Sequence, residues 1–575
     1  MKYRWQLCSE GDSSAKVRAE EWGVSPLLAH CMMNRGVDSP SRARAFLSPR
    51  LSDLSDPFLL PDMQKAVVRL FRARDEGETL TAFGDYDVDG LSSVALLALA
   101  MRELGWKLNC YIPHRIDEGY GLSRDAIENC LRQHPTRLVL AVDCGSTSAA
   151  VVGELSEKGV DVIVLDHHQI GSPVPQALAL VNPQAGPQNG EADSRALCSA
   201  GLAFKLLHAL VKEGRQRGCP QMASFDVRPY LDLVALGTVA DLVPLTGENR
   251  ILAAAGLECL SRSERAGLVA LKQKARVGPI VKAQDVSFLL APRLNAAGRL
   301  ESASASLEML MCETALEASA LVEQLEGSNR SRQEMEREIA AQVFQRIRAR
   351  GSERMDRVIV EGDPAWHIGV VGIVAARVMR EFNRPTIICG GDGASLRGSG
   401  RSVEGFDLVA TLHGCADLLS SHGGHAMAAG VSLLPENLDA LRSRLDESAR
   451  EALPGVPLAP ALRLDASSNL FDMTLRQMED LERLQPIGQG NPPVQLLFPG
   501  LRLHRAIQRM GREGQHAKLV VTDGVCTAEA IMWQVADADL PHDEFDLAAA
   551  PQINEYHGRR SVQLKVLDWR RAGGE

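Results

Sequence analysis

The amino-acid sequence predicts a multidomain α/β protein that ends in a small β-barrel. From residue 80 to about 245, short apolar runs alternate with helical stretches, a pattern typical of βαβ units around a parallel sheet. A second, glycine-rich α/β pattern begins near residue 357, and short alternating segments dominate residues 461–575. Because 575 residues exceed what one hydrophobic core usually supports, we expect three or four domains.

Changes in pattern divide the chain into five expected segments, which are residues 1–50, 51–245, 246–350, 351–455 and 456–575. The first and third are helical, the second and fourth are α/β, and the fifth is the barrel. Residues 314–350 are charged and almost free of glycine and proline, as expected of one long helix connecting two domains. Pro454 and Pro457 indicate a linker before the barrel.

Composition and charge restrict the class of protein. The chain is 45% hydrophobic and 24% charged, which is ordinary for a soluble globular protein. It has neither an apolar run of membrane-spanning length nor an apolar leader, so we expect a cytoplasmic protein. The 12 cysteines include no C-x-x-C pair, which argues against a zinc ribbon or a disulfide framework. A net charge of −10 makes indiscriminate binding to duplex DNA unexpected.

Three carboxylates alternate in Asp85-Tyr86-Asp87-Val88-Asp89-Gly90, directly after the apolar residues 80–83. Alternation is the period of an extended chain, so we expect the three acids to face one way where a strand ends. Clustered carboxylates repel one another unless a cation lies between them, so the motif predicts a divalent metal site. An EF-hand calcium loop begins in the same way, but its twelfth position requires a glutamate, and here that position is Leu96.

Further aspartates follow other apolar runs, and one of them precedes two histidines. These residues are Asp143 after 137–142, Asp166-His167-His168 after 161–165, and Asp241 a few positions beyond 231–236. A single aspartate after a strand is more often a turn or helix cap. Four acidic strand ends in one parallel sheet would instead converge at one edge. Carboxylates with one or two imidazoles suit Mn²⁺ or Mg²⁺, and the set is large enough for two ions.

Six more segments carry recognisable motifs, at residues 114–121, 292–299, 366–372, 398–402, 423–430 and 486–492. Together with the aspartate and histidine motifs, they resemble the DHH phosphoesterase superfamily, and within it the exonucleases specific for single-stranded DNA. The resemblance covers most of the chain. It implies a DHH domain with a parallel sheet, a long connecting helix, a DHHA1 α/β domain and an oligonucleotide-binding (OB) barrel.

The resemblance also implies a reaction and its residues. The protein would degrade single-stranded DNA from 5′ to 3′ into mononucleotides, in recombination and repair, with two Mn²⁺ or Mg²⁺ ions. The implied metal ligands are Asp85, Asp87, Asp89, Asp143, His167 and Asp241. Asp85 and Asp89 also count among the catalytic residues, and His168 would contact the scissile phosphate as a hydrogen-bond donor or general acid. We expect Asp143 to bridge the two ions.

The second α/β domain is expected to bind phosphate. Residues 398–402 offer backbone amides, a hydroxyl and a guanidinium, which together can hold a phosphate if they form a loop. The resemblance implies a phosphate-binding set of Arg115, Arg299, Ser399, Arg401 and His425. Arg293 could exchange roles with Arg299, and Asn295 is a further candidate. The segment Trp366-His367 is either part of the core or part of the substrate path.

The predicted barrel carries several cations but few aromatic residues. The cations are Arg502, His504, Arg505, Arg509, Arg512, Lys518 and Lys565, and the candidate stacking aromatics are Trp533 and Tyr556. Barrels of this kind bind nucleic acid through a basic groove and stacked bases. With few stacking partners, most of the affinity should come from phosphate contacts.

Two other functions stay open. The protein could be a DHH phosphodiesterase for short oligoribonucleotides or cyclic dinucleotides, although such chains are shorter and usually lack the barrel. It could also be an inactive scaffold at the replication fork, although such relatives typically lose metal ligands that this chain retains. The resemblance implies single-stranded DNA with a 5′-phosphate as substrate, and a single-strand-binding protein and a helicase as partners. We expect a monomer.

Overall fold

The computed structural model describes residues 3–8, 13–115, 117–119, 121–186, 194–350, 356–391, 394–452 and 459–573. The chain forms two compact units. The first comprises Met1–Pro113, Tyr120–Ala291 and Ala461–Glu575, and the second comprises His114–Gly119 and Pro292–Pro460. Tyr120 of the predicted motif at 114–121 and the predicted linker residues Pro454 and Pro457 lie outside the described residues. The five predicted segment boundaries stay predictions.

The first unit begins with a short strand and three helices. These are β1 (Arg4–Leu7), α1 (Ser13–Trp22), α2 (Pro26–Asn34) and α3 (Pro40–Leu47). Helices α2 and α3 each begin at a proline, which needs no hydrogen-bond partner there. The preceding residues, Ser25 and Ser39, accept a hydrogen bond from a backbone N–H of the first turn.

A five-stranded, wholly parallel sheet forms the centre of the first α/β domain. Its strands are β2 (Thr79–Gly84), β3 (Lys107–Tyr111), β4 (Leu138–Val142), β5 (Asp161–Leu165) and β6 (Ala179–Val181). The order is β3-β2-β4-β5-β6, so the winding direction reverses between β2 and β4. In sheets of this order, ligands bind outside the carboxyl ends of the strands at this reversal point.

Helices cover the sheet and account for the near-continuous apolar runs of its strands. The helices of this domain are α4 (Met63–Asp75), α5 (Val88–Glu103), α6 (Arg124–Gln133), α7 (Ala149–Glu157), α8 (Ser199–Gln216), α9 (Pro220–Ala223), α10 (Leu231–Ala240), α11 (Gly247–Arg262), α12 (Ala266–Lys274) and α13 (Ala283–Asp285). Of these, α4, α5, α7 and α8 pack against the strands.

The sequence-based expectation of a strand at 231–236 is wrong, because these residues form the first part of α10. The helix packs against α5, α8 and α11, and its residues from Leu231 to Val239 are buried. An apolar run that is buried on every side has no polar face, so its periodicity does not distinguish a helix from a strand.

The second unit contains a long helix and a mixed sheet. Its helices are α14 (Ala291–Leu300), α15 (Ser304–Met311), α16 (Ala315–Ala349), α17 (Val371–Phe382), α18 (Leu408–His413) and α19 (Leu438–Ala452). Its strands are β7 (Ile359–Gly362), β8 (Thr386–Gly391), β9 (Leu396–Arg401), β10 (Ser421–His425) and β11 (Ala428–Leu433), in the order β10-β11-β9-β8-β7. Helix α16 confirms the long helix predicted at 314–350.

The C-terminal part of the first unit is a closed barrel. Its elements are β12 (Ala461–Leu464), β13 (Ala466–Ser467), α20 (Leu475–Glu482), β14 (Leu496–Leu503), β15 (Gln508–Met510), β16 (His516–Thr522), β17 (Thr527–Met532), β18 (Glu544–Tyr556) and β19 (Arg559–Arg571). Strands β14, β18, β19, β17 and β16 pair in turn, and β14 also pairs with β16, which closes the ring. This confirms the predicted barrel.

The N-terminal segment packs against the barrel. Strand β1 pairs in parallel with β12, in the register Arg4 to Ala461. Leu28 and Met32 of α2 are fully buried in the cluster that contains Phe498 and Leu519 of the barrel strands. The indole Nε1 of Trp5 donates to Asp568 at 3.0 Å. Strand β1 and helix α2 therefore complete the core of the barrel.

Among the described residues, no helix combines the length and the apolar character needed to span a bilayer. All 12 cysteines are free thiols.

One buried ion pair gives a test of the packing between α8 and α11. Lys205 is fully buried, and its Nζ lies 2.9 Å from Oε1 of Glu248. We predict that Lys205→Met lowers the free energy of unfolding by about 3–5 kcal/mol, because it leaves a buried carboxylate without its cation. Urea denaturation measures the loss. The double variant Lys205→Met/Glu248→Leu should recover most of it, and a single variant as stable as the parent would contradict the prediction.

Candidate metal centre and phosphate-binding cluster

The first acidic motif turns directly from the end of β2 into α5. Asp85 is the first residue after the strand, and Asp87 is the N-cap of the helix. The Asp87 carboxylate accepts the backbone N–H groups of Asp89 at 2.9 Å and Gly90 at 3.2 Å. The predicted extended, alternating arrangement is therefore wrong, because an aspartate before a helical run satisfies the free N–H groups of the first turn. Helix α5 also excludes an EF-hand loop here.

Two glycines permit the close approach of backbone that this turn requires. A Cβ on Gly90 would lie 2.6 Å from the carbonyl oxygen and 2.8 Å from the nitrogen of Asp85. On α10, a Cβ on Gly237 would lie 2.6 Å from Oδ1 of Asp89. The glycine that ends the acidic motif is therefore a packing requirement of the site.

The start of α8 holds two of the carboxylates. The backbone N–H groups of Ser199 and Ala200 donate to Asp89 at 2.7 and 2.9 Å, and the Ser199 hydroxyl donates to Asp143 at 2.8 Å. The N-terminus of a helix favours negative charge, so α8 stabilises these acids where they stand. Asp143 follows β4 with φ of 63°, a left-handed conformation that is uncommon outside glycine and that concentrates at functional sites.

His167 brings the remaining acids together. Its Nε2 lies 3.4 Å from Oδ1 of Asp143, 3.5 Å from Oδ2 of Asp241 and 3.9 Å from Oδ2 of Asp89. This nitrogen is buried and has no hydrogen-bond partner among the described residues. Asp241 reaches it from the C-terminal end of α10, so the aspartate converges as predicted although the predicted strand does not exist.

Three overlapping groups of side chains have the spacing needed to hold a cation. They are Asp85–Asp87–Asp143, Asp89–His167–Asp241 and Asp143–His167–His168, and within each group the ligand atoms lie within 4.8 Å of one another. Oxygen-rich sets with imidazole nitrogen suit Mn²⁺ or Mg²⁺. The unpartnered Nε2 of His167 fits the same interpretation, since a buried polar atom without a partner is costly. The predicted ligands therefore converge.

Crowding changes the protonation of these groups. Burial, with the charges of neighbouring aspartates, raises the pKa of Asp143 well above its ordinary value and that of Asp241 to about 8. Burial also raises the pKa of Asp89 and lowers the pKa of His167, which favours the neutral imidazole. Without a cation, the protein therefore keeps protons on some of these acids at neutral pH.

Asp166 serves His168 instead of joining the predicted ligand set. Its Oδ1 lies 2.7 Å from Nδ1 of His168, and its Oδ2 accepts the backbone N–H of Ser146 at 3.0 Å. Burial alone would lower the pKa of His168, but the hydrogen bond and charge of Asp166 raise it to about 9. Asn182 donates to the Ser146 hydroxyl and to the carbonyl of His168, and these two hydrogen bonds hold the backbone of His168 beside Ser146.

The second unit gathers cationic side chains around one end of β9. Ser399 and Arg401 lie on this strand, and Nη1 of Arg401 donates to the Ser399 hydroxyl at 2.9 Å. The loop conformation predicted for 398–402 is wrong, because residues 396–401 form strand β9, which pairs with β8 on one side and β11 on the other. Its amides therefore belong to the sheet, and only the side chains remain to bind an anion.

Other elements of the same unit place cations beside Arg401. Arg115 is close enough to lower the pKa values of both Arg401 and His367, in addition to the effect of burial. A Cβ on Gly372, in the first turn of α17, would lie 3.1 Å from the Ser399 hydroxyl, and one on Gly369 would lie 1.9 Å from the carbonyl oxygen of Arg299. The start of α17, the Ser399 hydroxyl and the guanidinium of Arg401 therefore lie together, and Arg115 is nearby.

The remaining predicted phosphate ligands differ in their surroundings. Arg293 is paired with Glu326 of α16 at 2.6 Å, so its guanidinium is held on the long helix. His425, exposed on β10, pairs with Ala428, which in turn pairs with Arg401, so it lies two strands from the arginine at the same level. Asn295 lies on α14, one turn before Arg299.

Trp366 belongs to the core, whereas His367 belongs to this cluster. The indole is buried and donates to Gln342 at 2.8 Å. The Nδ1 of His367 accepts the backbone N–H of Gly369 at 3.1 Å, so the ring would contact a ligand through its other nitrogen, Nε2. The sequence left open whether this pair of residues belongs to the core or to the substrate path, and the structure places Trp366 in the core and His367 near Arg115.

The barrel offers less free positive charge than the sequence suggests. Arg502 is paired with Glu544, Arg509 with Asp537, and Lys518 with Glu529. Trp533 and Tyr556 are 55% and 69% exposed, so both rings are accessible for stacking. Local ion pairs therefore offset much of the basic character expected of this surface.

A carboxylate–imidazole cluster at the reversal point of a parallel sheet defines a metal-dependent phosphoesterase of the DHH type. The DHH family, N-terminal domain, matches residues 79–238, the DHHA1 domain matches 355–451, and the RecJ OB domain matches 464–568. These matches confirm the resemblance and the predicted fold class.

Individual relatives make the assignment more specific. The single-stranded-DNA-specific exonuclease RecJ of Salmonella typhimurium is 34% identical over 590 residues, which cover 99% of each chain. The protein of the same name from Bacillus subtilis is 33% identical and covers 99% of this chain and 71% of its own. The crystal structure of RecJ in complex with Mn²⁺ from Thermus thermophilus covers all of this chain and 80% of its own, with a TM-score of 0.83 and 30% identity. This chain belongs to the RecJ family.

The tight turn at Gly90 generates a prediction about metal binding. We predict that Gly90→Ala weakens Mn²⁺ binding by at least about 10-fold. The added methyl group would push the backbone of Asp85 away, so its carboxylate would move relative to that of Asp87. Isothermal titration calorimetry measures the affinity. Gly153→Ala is the matched control, since a Cβ on this helical glycine of α7 meets nothing within 4 Å. Equal Mn²⁺ affinity in the two variants would show that the close approach does not matter.

The raised pKa values generate a second prediction. Mn²⁺ binding at pH 7 should release protons, because a bound cation requires ionised Asp143 and Asp241. The apparent affinity should therefore rise as pH increases through about 8, the pKa of Asp241. Calorimetric titrations in buffers of different ionisation enthalpy count the protons. Binding without proton release at pH 7 would be incompatible with these shifts.

Proposed function

We propose that this protein is an exonuclease specific for single-stranded DNA, which removes mononucleotides from 5′ to 3′ with two Mn²⁺ or Mg²⁺ ions in DNA recombination and repair. The observation that carries the proposal is the convergence of Asp89, Asp143, His167 and Asp241 at the reversal point of the sheet, in a chain of the RecJ family. An intact ligand set favours an active enzyme over a scaffold, and the barrel favours a polymeric substrate over short nucleotides.

The metal ligands divide between two neighbouring positions. Asp85, Asp87 and Asp143 would hold one ion, and Asp89, His167 and Asp241 would hold the other. Asp143 belongs to two of the three candidate groups, which supports it as the bridging carboxylate. Two ions held by these neighbouring groups would supply the chemistry that activates water and stabilises the leaving oxygen of a phosphodiester. The residues themselves provide fixed orientation, because helix N-termini and tight turns hold the carboxylates in place.

His168 would act on the substrate phosphate. Because Nδ1 is hydrogen-bonded to Asp166, the protonated ring would donate to a ligand through its Nε2–H group. A pKa of about 9 keeps the ring cationic at neutral pH, so it can donate a hydrogen bond to a phosphate oxygen or a proton to the leaving group.

The cluster around β9 would bind the 5′-phosphate. Arg115, Arg299, Ser399, Arg401 and His425 form the proposed set, and His367 joins it. The effect of Arg115 on the pKa of Arg401 means that like charges lie close together there. A phosphate monoester, with its high charge, would offset that repulsion and bind more strongly than a neutral hydroxyl end.

We further propose a monomer that works in the cytoplasm with a single-strand-binding protein and a helicase. One chain carries both clusters of side chains, which supports the monomer. Twelve free thiols suit a reducing compartment. The partner proteins rest on the family resemblance alone.

The proposed activity is tested with single-stranded DNA labelled at either end and a matched blunt duplex, each incubated with Mn²⁺. We expect immediate release of a labelled mononucleotide from the 5′ end and no attack on the duplex. Asp143→Asn should abolish release, because it removes a carboxylate common to two candidate groups. Release from the 3′ end would refute the proposed polarity, and cleavage of cyclic dinucleotides alone would favour the phosphodiesterase.

The pairing of Asp166 with His168 predicts a change in pH dependence. If activity requires cationic His168, it is lost as pH rises through the pKa of that ring. Asp166→Asn removes the charge that raises this pKa, so the alkaline limb of the pH–kcat profile should move to lower pH. Asp125→Asn, at an exposed acid of α6, serves as control. An unchanged alkaline limb would remove His168 from the proposed role.

The phosphate-binding cluster predicts which end chemistry the enzyme prefers. Arg401→Ala should reduce the preference for 5′-phosphate over 5′-hydroxyl DNA by about 10- to 100-fold, since a charged hydrogen bond contributes about 1.5–3 kcal/mol. Initial rates on the two substrates measure the preference. Arg380→Ala, at the exposed far end of α17, should leave it unchanged. An Arg401→Ala enzyme that keeps the full preference would contradict the assignment.

A further inference from the structure

The loop at residues 485–492, which connects α20 to β14 of the barrel, lies against the segment that follows Asp241. The carbonyl oxygen of Gln489 accepts the backbone N–H of Leu245 at 2.7 Å. Leu245 is buried and comes four residues after Asp241. A loop from the C-terminal part of the chain is thus bonded to the backbone that leads away from a candidate metal ligand.

Two glycines of this loop make the contact possible. Gly490 has φ of 72°, and a Cβ there would lie 3.1 Å from Cβ of Pro244. A Cβ on Gly488 would lie 2.7 Å from Cδ1 of Leu245. Any larger residue would push the loop away from the segment, so the sequence motif at 486–492 is explained by this packing.

The loop is itself held rigidly from the side of α11. Asn491 is fully buried, and its Nδ2 donates to the carbonyl oxygens of Leu484 at 2.7 Å and Pro486 at 2.8 Å. Arg250 of α11 donates to the carbonyl of Gln485 at 2.7 Å and to that of Leu484 at 3.1 Å. The contact with Leu245 therefore joins two fixed pieces of backbone.

Asn249, which precedes Arg250 in α11, connects the segment after Asp241 with the backbone that leads to Ser199. Asn249 is fully buried, and its Nδ2 donates to the carbonyl oxygens of Pro244 at 3.1 Å and Ala196 at 2.5 Å. Ala196 lies three residues before Ser199, the residue that donates to Asp89. The backbone that follows Asp241 and the backbone that precedes Ser199 are therefore both hydrogen-bonded to Asn249, at the start of α11.

Asp241 needs support on its C-terminal side. It caps α10, and the next residue, Leu242, has φ of 59° with a side chain that is 65% exposed. A leucine in the left-handed region is strained and persists only where the surrounding structure determines it. Helix α10 fixes one side of this strained step, and the contact with the 485–492 loop fixes the other.

We propose that the 485–492 loop is a positioning device for Asp241, which sets the place of its carboxylate in the metal centre and couples the barrel to that centre. The inference rests on the proposed metal site but assigns a role to residues outside it. Gly488 and Gly490 are positioning residues, since they act through the backbone at 244–245 and have no side chain of their own.

The test is calorimetric titration of the full-length protein with Mn²⁺ alone, without DNA. Gly490→Ala should weaken one Mn²⁺-binding event by about 10-fold, the effect typical of residues that orient metal ligands, and leave the other event unchanged. The selective loss follows because Asp241 belongs to the Asp89–His167–Asp241 group and not to the Asp85–Asp87–Asp143 group.

Two controls separate positioning from general strain. Gly558→Ala places alanine at an almost identical φ of 73° in the β18–β19 turn, where a Cβ meets nothing within 4 Å. Gln489→Ala keeps the backbone carbonyl that accepts from Leu245 and removes only an exposed side chain. Both variants should bind Mn²⁺ as the parent does. If Gly490→Ala does not fold, Gly488→Ala carries the same test, because its Cβ would press on the buried side chain of Leu245 and not on the backbone of Pro244.

The possible results point in different directions. Selective weakening of one binding event in Gly490→Ala, with both controls unchanged, supports the positioning role. Parental affinity in Gly490→Ala, or equal losses in Gly490→Ala and Gly558→Ala, overturns it while leaving the metal site intact. Absence of Mn²⁺ binding by the parent protein would instead overturn the metal site on which the inference rests.

Discussion

Repulsion among buried carboxylates is the constraint on which the rest of the catalytic domain depends. Asp85, Asp89 and Asp143 are almost fully buried at one sheet edge, where water cannot screen them. The protein offsets part of this cost with the N-terminus of α8, with the capping turn at Asp87 and with a neutral His167. The remainder requires a cation, so the architecture of the domain and its need for divalent metal have one cause.

The second unit brings positive charges together where the first brings negative charges together, and it too holds them on rigid elements. Arg115 and Arg401 lie close enough to affect each other electrostatically, beside the start of α17. One cluster therefore favours cations and the other favours anions. Both are built from side chains on rigid elements, since β9 carries Ser399 and Arg401 inside a paired sheet. Rigid support matters because hydrolysis of a phosphodiester depends on placement more than on the reactivity of any one side chain.

The sequence predicted those features that local pattern determines. Asp143 and Asp166 follow strands whose apolar runs are unmistakable, so their convergence could be inferred. Asp241 was expected after a strand, but the buried run before it forms a helix, because full burial removes the periodicity that distinguishes the two. Ser399 and Arg401 were expected on a loop, because glycines flanking them suggested a turn although they allow close sheet packing. Ser199 was missed, since nothing in a lone serine at a helix start indicates which carboxylate it will meet.

The pairing of β1 with β12 could not be predicted either, because its partners are hundreds of residues apart in the chain, and it carries a consequence for biosynthesis. The barrel core includes Leu28 and Met32 from the first helices and Leu564 from the last strand. A ribosome releases the first of these long before the last. The N-terminal helices therefore keep an unmatched apolar face until the barrel strands have been synthesised, and during that interval a nascent-chain chaperone could bind this face.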